Sequence, residues 1–127
     1  INGDNIFLGN YIPAINYYYS SKIKSLIFLR KVKKNGNVMF NRDNKQINLY
    51  KRDCSRCLYE DIGVKIFNKR IFEEYKDDLP ISLEDNVYKN LIDNNNLYGI
   101  LMDDEILDIG SHKAIEETNK YFANKIN

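Results

Sequence analysis

Ile106-Leu107-Asp108-Ile109-Gly110-Ser111 reads as a strand, a turn and a helix cap in one short stretch. Ile106 to Asp108 is an apolar run that ends on a carboxylate. Gly110 follows, and Ser111 is a good N-cap for a last helix whose expected buried stripe is Ile115, Thr118 and Phe122. A strand feeding directly into a helix belongs to α/β architecture. In open α/β sheets ligands bind beyond the carboxyl ends of strands, where Asp108 is expected to stand. The first free N–H groups of the helix offer a place for phosphate. A plain helix cap preceded by an acid, which the helix N-terminus keeps ionised with ease, accounts for the same residues.

At the other end of the chain, Ile1-Asn2-Gly3-Asp4 again sets a carboxylate beside a glycine. If Ile1 ends a strand, Asp4 lies just past its carboxyl end. As a turn residue, Asp4 could instead satisfy its own backbone. Two such carboxylates, brought together by a fold, can hold one divalent metal. The sequence begins without methionine, and a turn comes before any strand could form. The expectation is therefore the back part of a larger enzyme, with residues 1–127 forming a single domain.

Between these ends the elements follow hydrophobic period and turn chemistry. Asn10 and Pro13 open a helix in which Ile12, Ile15, Tyr19 and Ile23 recur near helical spacing. Tyr17-Tyr18-Tyr19 then reads as one packing residue with two at the rim. Ser25 to Leu29 is a strand, followed by a basic run from Arg30 to Lys34 that reads as a solvated loop. Asn35-Gly36 marks a turn. Asn37 to Phe40 and Ile47 to Tyr50 form a hairpin. Asp61 to Phe67 is a strand with Gly63 inside it, a sign of a bulge or of close approach by another backbone or ligand. Asn68 caps a helix to about Tyr75. Ser82-Leu83-Glu84-Asp85 resembles a capping box before a helix lined by Leu83, Val87 and Leu91. Leu97 to Met102 is the next strand. The result is α/β with an antiparallel portion in the middle. A sheet that ends at Ile1 would expose an edge, so self-association into a homo-oligomer is a possible consequence.

Bulk composition narrows the function classes. The 127 residues, 43% hydrophobic, can fill one core. Nineteen basic residues against eighteen acidic ones leave a net charge of +1, which gives no electrostatic case for nucleic acid or an anionic membrane. No apolar run approaches the roughly 18 residues that span a bilayer. Cys54 and Cys57 form a lone C-x-x-C in a charged loop. We read them as incidental free thiols of a reducing cytoplasm, with a disulfide or redox pair as the alternative. Zinc would need about four ligands, and His112 is the only histidine.

The ordered series Asn2-Gly3-Asp4, Asn35-Gly36-Asn37-Val38, Tyr50-Lys51-Arg52, Tyr59-Glu60-Asp61-Ile62-Gly63 and Asp108-Ile109-Gly110-Ser111 resembles the sugar-1-phosphate nucleotidyltransferase family. The likeness is greatest to heptose- and mannose-1-phosphate guanylyltransferase-type enzymes. It implies a Rossmann-like mixed sheet, of which this chain is the C-terminal portion, without the family's glycine-rich phosphate loop. It implies Mg²⁺ held jointly by Asp4 and Asp108. It maps the sugar-phosphate contact to Arg52, or to Lys51, and the sugar-fixing polar residue to Asp61 beside Gly63. Gly63, and Gly110 in the second metal segment, count with these as substrate-binding positions. The implied reaction joins a nucleoside triphosphate to a sugar-1-phosphate and releases pyrophosphate. His112 stands where the family usually has proline, and Lys51-Arg52 replaces its common Glu-Lys pair. The alternative is a non-catalytic binding or self-association module built on the same fold.

Overall fold

The computed structural model describes residues 1–78 and 80–126. The strands are β1 (Asn5–Phe7), β2 (Ser25–Lys31), β3 (Val38–Phe40), β4 (Ile47–Tyr50), β5 (Tyr59–Phe67), β6 (Tyr98–Leu101) and β7 (Ile106–Asp108). The α-helices are α1 (Ile12–Ser20), α2 (Lys89–Asp93) and α3 (His112–Ile126). Five strands form one mixed sheet in the order β4-β3-β5-β2-β6, and β1 pairs with β7 in a separate ribbon. The α/β expectation with an antiparallel middle therefore holds.

β2 organises this sheet because it is apolar on both faces. Leu26, Ile27, Phe28 and Leu29 have no solvent exposure, and side chains alternate across a strand. Leu26 and Phe28 pack with Phe7, Ala14, Tyr18, Ile62, Val64 and Met102. Ile27 and Leu29 pack on the other side with Val38, Phe40, Ile47, Tyr88 and Leu97. Each such side chain contributes about 1.5–3 kcal/mol on burial. β2 runs antiparallel to β5, from Ser25↔Phe67 to Lys31↔Tyr59, and parallel to β6, with Leu26↔Tyr98 through Leu29↔Leu101. Arg30 and Lys31 continue this strand, where a loop was expected.

Local chemistry sets the ends of most elements. The hairpin of β3 and β4 pairs Val38↔Tyr50, Met39↔Leu49 and Phe40↔Ile47. Asn68 Oδ1 accepts from Arg70 N at 3.0 Å, and the helix it caps, Lys69–Tyr75, is 3₁₀. Ser82 Oγ accepts from Asp85 N at 3.1 Å. The return bond of that box comes from Asn86, whose Oδ1 accepts from Ser82 N at 2.9 Å. The helix that follows is π-helical over Leu83–Tyr88 before it becomes α2. Ser111 Oγ accepts from Ala114 N at 3.1 Å and caps α3.

Four expectations need correction. Ile1 does not end a strand; the strand begins at Asn5, so Asp4 precedes β1. In α1 the buried face is Ala14 and Tyr18, flanked by Tyr11, while Ile12 and Tyr19 are mostly exposed. Residues 11, 14 and 18 also have helical spacing, so period alone could not choose between two apolar stripes. In α3 Thr118 is buried, but Ile115 and Phe122 are exposed. Finally, Cys54 and Cys57 are joined by a disulfide. A turn in which Cys57 N donates to Cys54 O at 3.1 Å brings their Cα atoms to 5.3 Å, within bridging range. That bridge removes the free-thiol reading and the argument it gave for a reducing cytoplasm.

One sheet edge is closed and another is open. Ile47 N donates to Leu97 O, and Gly99 N to Lys45 O, so residues 45–47 cover part of the outer edge of β6. Opposite β2, strand β5 pairs with β3 only at Val38↔Tyr59. It also receives Asn2 N at Gly63 O, and on that side, away from β2, Val64 to Phe67 have no strand beside them among the described residues. No helix among the described residues is long and apolar enough to cross a membrane.

Candidate functional site

The β1–β7 ribbon joins the two ends of the chain. Asn5 pairs with Asp108, Ile6 with Leu107 and Phe7 with Ile106. The backbone extends this pairing on both sides: Ile109 N donates to Asp4 O at 2.8 Å, and Leu8 N to Glu105 O at 2.9 Å. Phe7 and Ile106 anchor the ribbon in the apolar layer formed with Leu26 and Phe28. As a result Asp4 and Asp108 flank one glycine. A Cβ at Gly110 would lie 3.1 Å from Asp108 Oδ1 and 3.6 Å from Asp4 Oδ2. Gly110 leaves this space to the two carboxylates.

Each carboxylate has one oxygen engaged. Asp108 Oδ1 accepts from Gly110 N at 2.7 Å, and Asp4 Oδ1 accepts from the Asn5 side-chain amide at 3.1 Å. Their other oxygens accept from no described residue, and neither aspartate has a basic partner among the described ion pairs. This donor set fits Mg²⁺, which binds one or two carboxylates and completes its shell with water and phosphate oxygens. It does not fit an all-protein cage: no group of three or more His, Cys, Asp or Glu residues occurs among the described residues.

Gly63 ties the central sheet to this ribbon. Its φ is +87°, and an added Cβ would come within 2.9 Å of Asn5 Nδ2 and 3.2 Å of Asn2 Cβ. Asn2 N donates to Gly63 O at 2.7 Å. The glycine inside β5 is thus a point of close backbone approach, and it also lies where the β2–β5 register shifts between Ile27↔Lys65 and Leu29↔Asp61, so both readings of its sequence position hold.

Asp61 is a buried hub. Its side chain is 3% exposed and pairs with Lys65 Nζ at 2.9 Å. Tyr50 donates to Asp61 Oδ2 at 2.8 Å, and Gly63 N donates to Oδ1 at 2.8 Å. Asn37 Oδ1 accepts from Asp61 N at 2.9 Å, while Asn37 O accepts from Lys51 N. The acceptors of Asp61 are therefore used within the protein. Burial, followed by the adjacent Asp61 charge, pushes the Tyr50 hydroxyl well above its ordinary value, so it remains a donor. Tyr88 packs on the Tyr50 ring at 4.8 Å, and its hydroxyl is raised in the same way, chiefly by burial.

Arg52 and Lys51 lie elsewhere. Arg52 Nε pairs with Glu84 at 3.0 Å, and the arginine side chain is 82% exposed. Both residues line an open groove of about 440 Å³ with Tyr50, Asp53, Glu84 and Asp85. The cleft at Asp108 is different and smaller, about 170 Å³. Asn5, Ile106 and Asp108 line it from the ribbon, and Arg30, Glu60, Asp61 and Ile62 from the sheet. The structure thus gathers Asp4, Asp108, Gly110, Asp61 and Gly63 in one region, with Arg52 and Lys51 in a separate groove. Arg30 and Glu60 were missed as cleft residues. The available signal was the position of Arg30 near the carboxyl end of a buried strand.

No protein-family model matches this sequence, and no curated protein matches it. Solved structures do resemble it. HddC from Yersinia pseudotuberculosis is 20% identical with a TM-score of 0.74, over 96% of this chain and 53% of that one. The same protein complexed with GMP-PN is 19% identical with the same TM-score and coverage. A Bacillus anthracis protein assigned as a glucose-1-phosphate thymidylyltransferase, in complex with sucrose, is 19% identical with a TM-score of 0.73. There the match covers 94% of this chain and 51% of that one. The chain spans about half the length of the structures it matches, and it shares with them a nucleotidyltransferase-like mixed α/β fold.

Proposed function

We propose that this chain is the metal- and sugar-binding portion of a sugar-1-phosphate nucleotidyltransferase, the C-terminal part of its catalytic domain. The reaction would convert a nucleoside triphosphate and a sugar-1-phosphate to a nucleoside diphosphate sugar and pyrophosphate. The observation that carries this reading is the convergence of Asp4 and Asp108 around Gly110, supported by the fold likeness. The two aspartates would hold Mg²⁺ through their free oxygens. When bound, the ion neutralises phosphate charge, which together with positioning is most of what phosphoryl transfer requires. No protein nucleophile is needed. Asp61, at the wall of the cleft, holds Tyr50 and the Gly63 turn behind it. Arg52, held by Glu84 through Nε with its terminal nitrogens unpartnered among the described residues, would meet a substrate phosphate with Lys51 beside it. A cytoplasmic location goes with nucleoside triphosphate use, and the Cys54–Cys57 bridge would then have to persist against cellular thiols.

Two measurements test this reading. Mn²⁺ binding to the chain, followed by electron paramagnetic resonance, should be lost in Asp4→Ala and in Asp108→Ala. Pyrophosphate release should be sought with the longer polypeptide that carries this chain, using a panel of nucleoside triphosphates and sugar-1-phosphates. Mn²⁺ binding that survives both substitutions would remove the two-aspartate site. Full turnover by these 127 residues alone would overturn the division of labour. The second reading, a non-catalytic self-association module, is favoured by the open β5 edge at Val64 to Phe67. A strictly monomeric mass in light scattering would count against it.

A further inference from the structure

We propose that Arg30 is the phosphate-binding residue of the cleft at Asp108. The inference rests on the metal reading of Asp4 and Asp108 and adds to it an anion contact from the sheet. Arg30 and Asp108 line the same small cavity, although they come from different sheets. Arg30 is half-exposed, and its Nε is held by Glu60 Oε2 at 2.8 Å. No described residue accepts from its two terminal nitrogens, and this pair is the fork that matches a phosphate edge.

The charges around the cleft support the assignment. Glu60 is answered by Arg30 and Asp61 by Lys65, whereas Asp4 and Asp108 have no basic partner among the described residues. A divalent cation between the aspartates would balance them, and Arg30 is the basic residue lining the cleft, its terminal nitrogens still open to an anionic ligand. The ligand class is therefore a phosphoryl compound that shares its oxygens between the ion and Arg30. Asn5, which follows Asp4 in the chain and pairs with Asp108, also lines the cavity, so the cleft with Arg30 borders the two carboxylates. Arg52, held by Glu84 in the same way, lines a different groove.

A chain of 15.0 kDa suits NMR. The Arg30 Nε–Hε resonance would be followed while hexose 1-phosphate or inorganic pyrophosphate is added, with and without Mg²⁺. Mn²⁺ binding would be measured in parallel. We expect the resonance to shift saturably with at least one ligand. Arg30→Ala should weaken that ligand roughly tenfold to a hundredfold with Mn²⁺ binding and the backbone spectrum retained. Arg30→Lys should recover only part of the loss. A response to hexose 1-phosphate would place Arg30 on the sugar side, and a response to pyrophosphate alone on the triphosphate side; either supports the assignment. An unmoved resonance with equal affinity in Arg30→Ala overturns it, whether or not Mn²⁺ binds. Loss of Mn²⁺ binding by the unmodified chain would instead sink the metal reading, while the metal-free titration still decides the role of Arg30.

Discussion

Gly63→Ala should be among the most damaging single-methyl additions in this protein, and the structure gives the size of the effect. A non-glycine residue at φ +87° carries about 1–2 kcal/mol of backbone strain. The new Cβ would also meet Asn5 Nδ2 at 2.9 Å and Asn2 Cβ at 3.2 Å. The amide of Asn5 can swing away, but Asn2 is held by its own N–H on Gly63 O. Forcing these apart adds roughly another 1–2 kcal/mol. The total is about 2–4 kcal/mol, a large share of a typical domain's stability. With an unfolding entropy near 2.1 cal/mol/K per residue, each kcal/mol moves Tm by roughly 4 °C for 127 residues. Tm should therefore fall by about 8–15 °C. Gly3→Ala is the internal control, because nothing lies within 4 Å of the Cβ it would add. Urea unfolding of both variants is the assay, with Mn²⁺ affinity measured below the transition. Gly63→Ala should weaken the metal as well, since Asn2 and Asn5 bracket Asp4. Equal stabilities for Gly63→Ala and the unmodified chain would refute the close-approach argument, as would equal losses for the two variants.

Other perturbations probe separate parts of the fold. Asp61→Asn leaves the partly buried Lys65 without its counter-charge and with Asn2 Oδ1 as a remaining acceptor, so chemical denaturation should show a loss of about 1.5–3 kcal/mol. Tyr88→Phe removes a buried hydroxyl that no described residue pairs with and should be neutral or stabilising by up to about 1 kcal/mol. The raised Tyr88 value also predicts an alkaline limit. Above pH about 10 the unfolded tyrosine loses its proton while the folded one keeps it. Stability should therefore fall with rising pH by about 1.4 kcal/mol per unit from this group, and Tyr88→Phe should flatten that fall in pH-dependent melts. Reducing the Cys54–Cys57 bridge, which closes a loop of sequence separation 3, should cost about 2 kcal/mol in the chain-entropy account. Melts with and without a phosphine reductant, alongside thiol titration, would check it.

The sheet was legible where one physical signal dominated. β2 could be read from Ser25 to Leu29 because an unbroken apolar run between charged flanks has few other fates, and the hairpin because turn residues separate two short apolar runs. Ile106 to Asp108 appeared with the same boundaries. Signals that competed were less informative. In α1 the stripes through Ile12 and Ala14 have the same period, and only the packing of small Ala14 and Tyr18 against the sheet chose between them. The disulfide was hidden because charged neighbours suggest exposure, yet both cysteines are buried. Arg30 looked like the start of a solvated run, since sequence does not show which strand end faces a ribbon built from the chain's first and last segments.

That ribbon makes the candidate site and the fold depend on the same few contacts. Three paired residues on each strand would not hold Asp4 beside Asp108 on their own, because isolated two-stranded ribbons are marginal in water. Phe7 and Ile106 dock the ribbon on the layer around Phe28, with Phe7 and Phe28 edge to face at 5.7 Å. Asn2 adds the backbone bond to Gly63, and Thr118 of α3 donates to Asp108 O at 3.1 Å. Each attachment comes from a different element, so loss of any one should loosen the carboxylate pair before the main sheet unfolds. Thr118→Val separates these levels. It keeps the volume near Asp108 and removes only the hydroxyl bond. Metal affinity should fall while hydrogen exchange in β2 and β5 stays as it was. If exchange in β2 rises together with the loss of metal, ribbon and sheet form one cooperative unit, and the site cannot be tuned independently of the core.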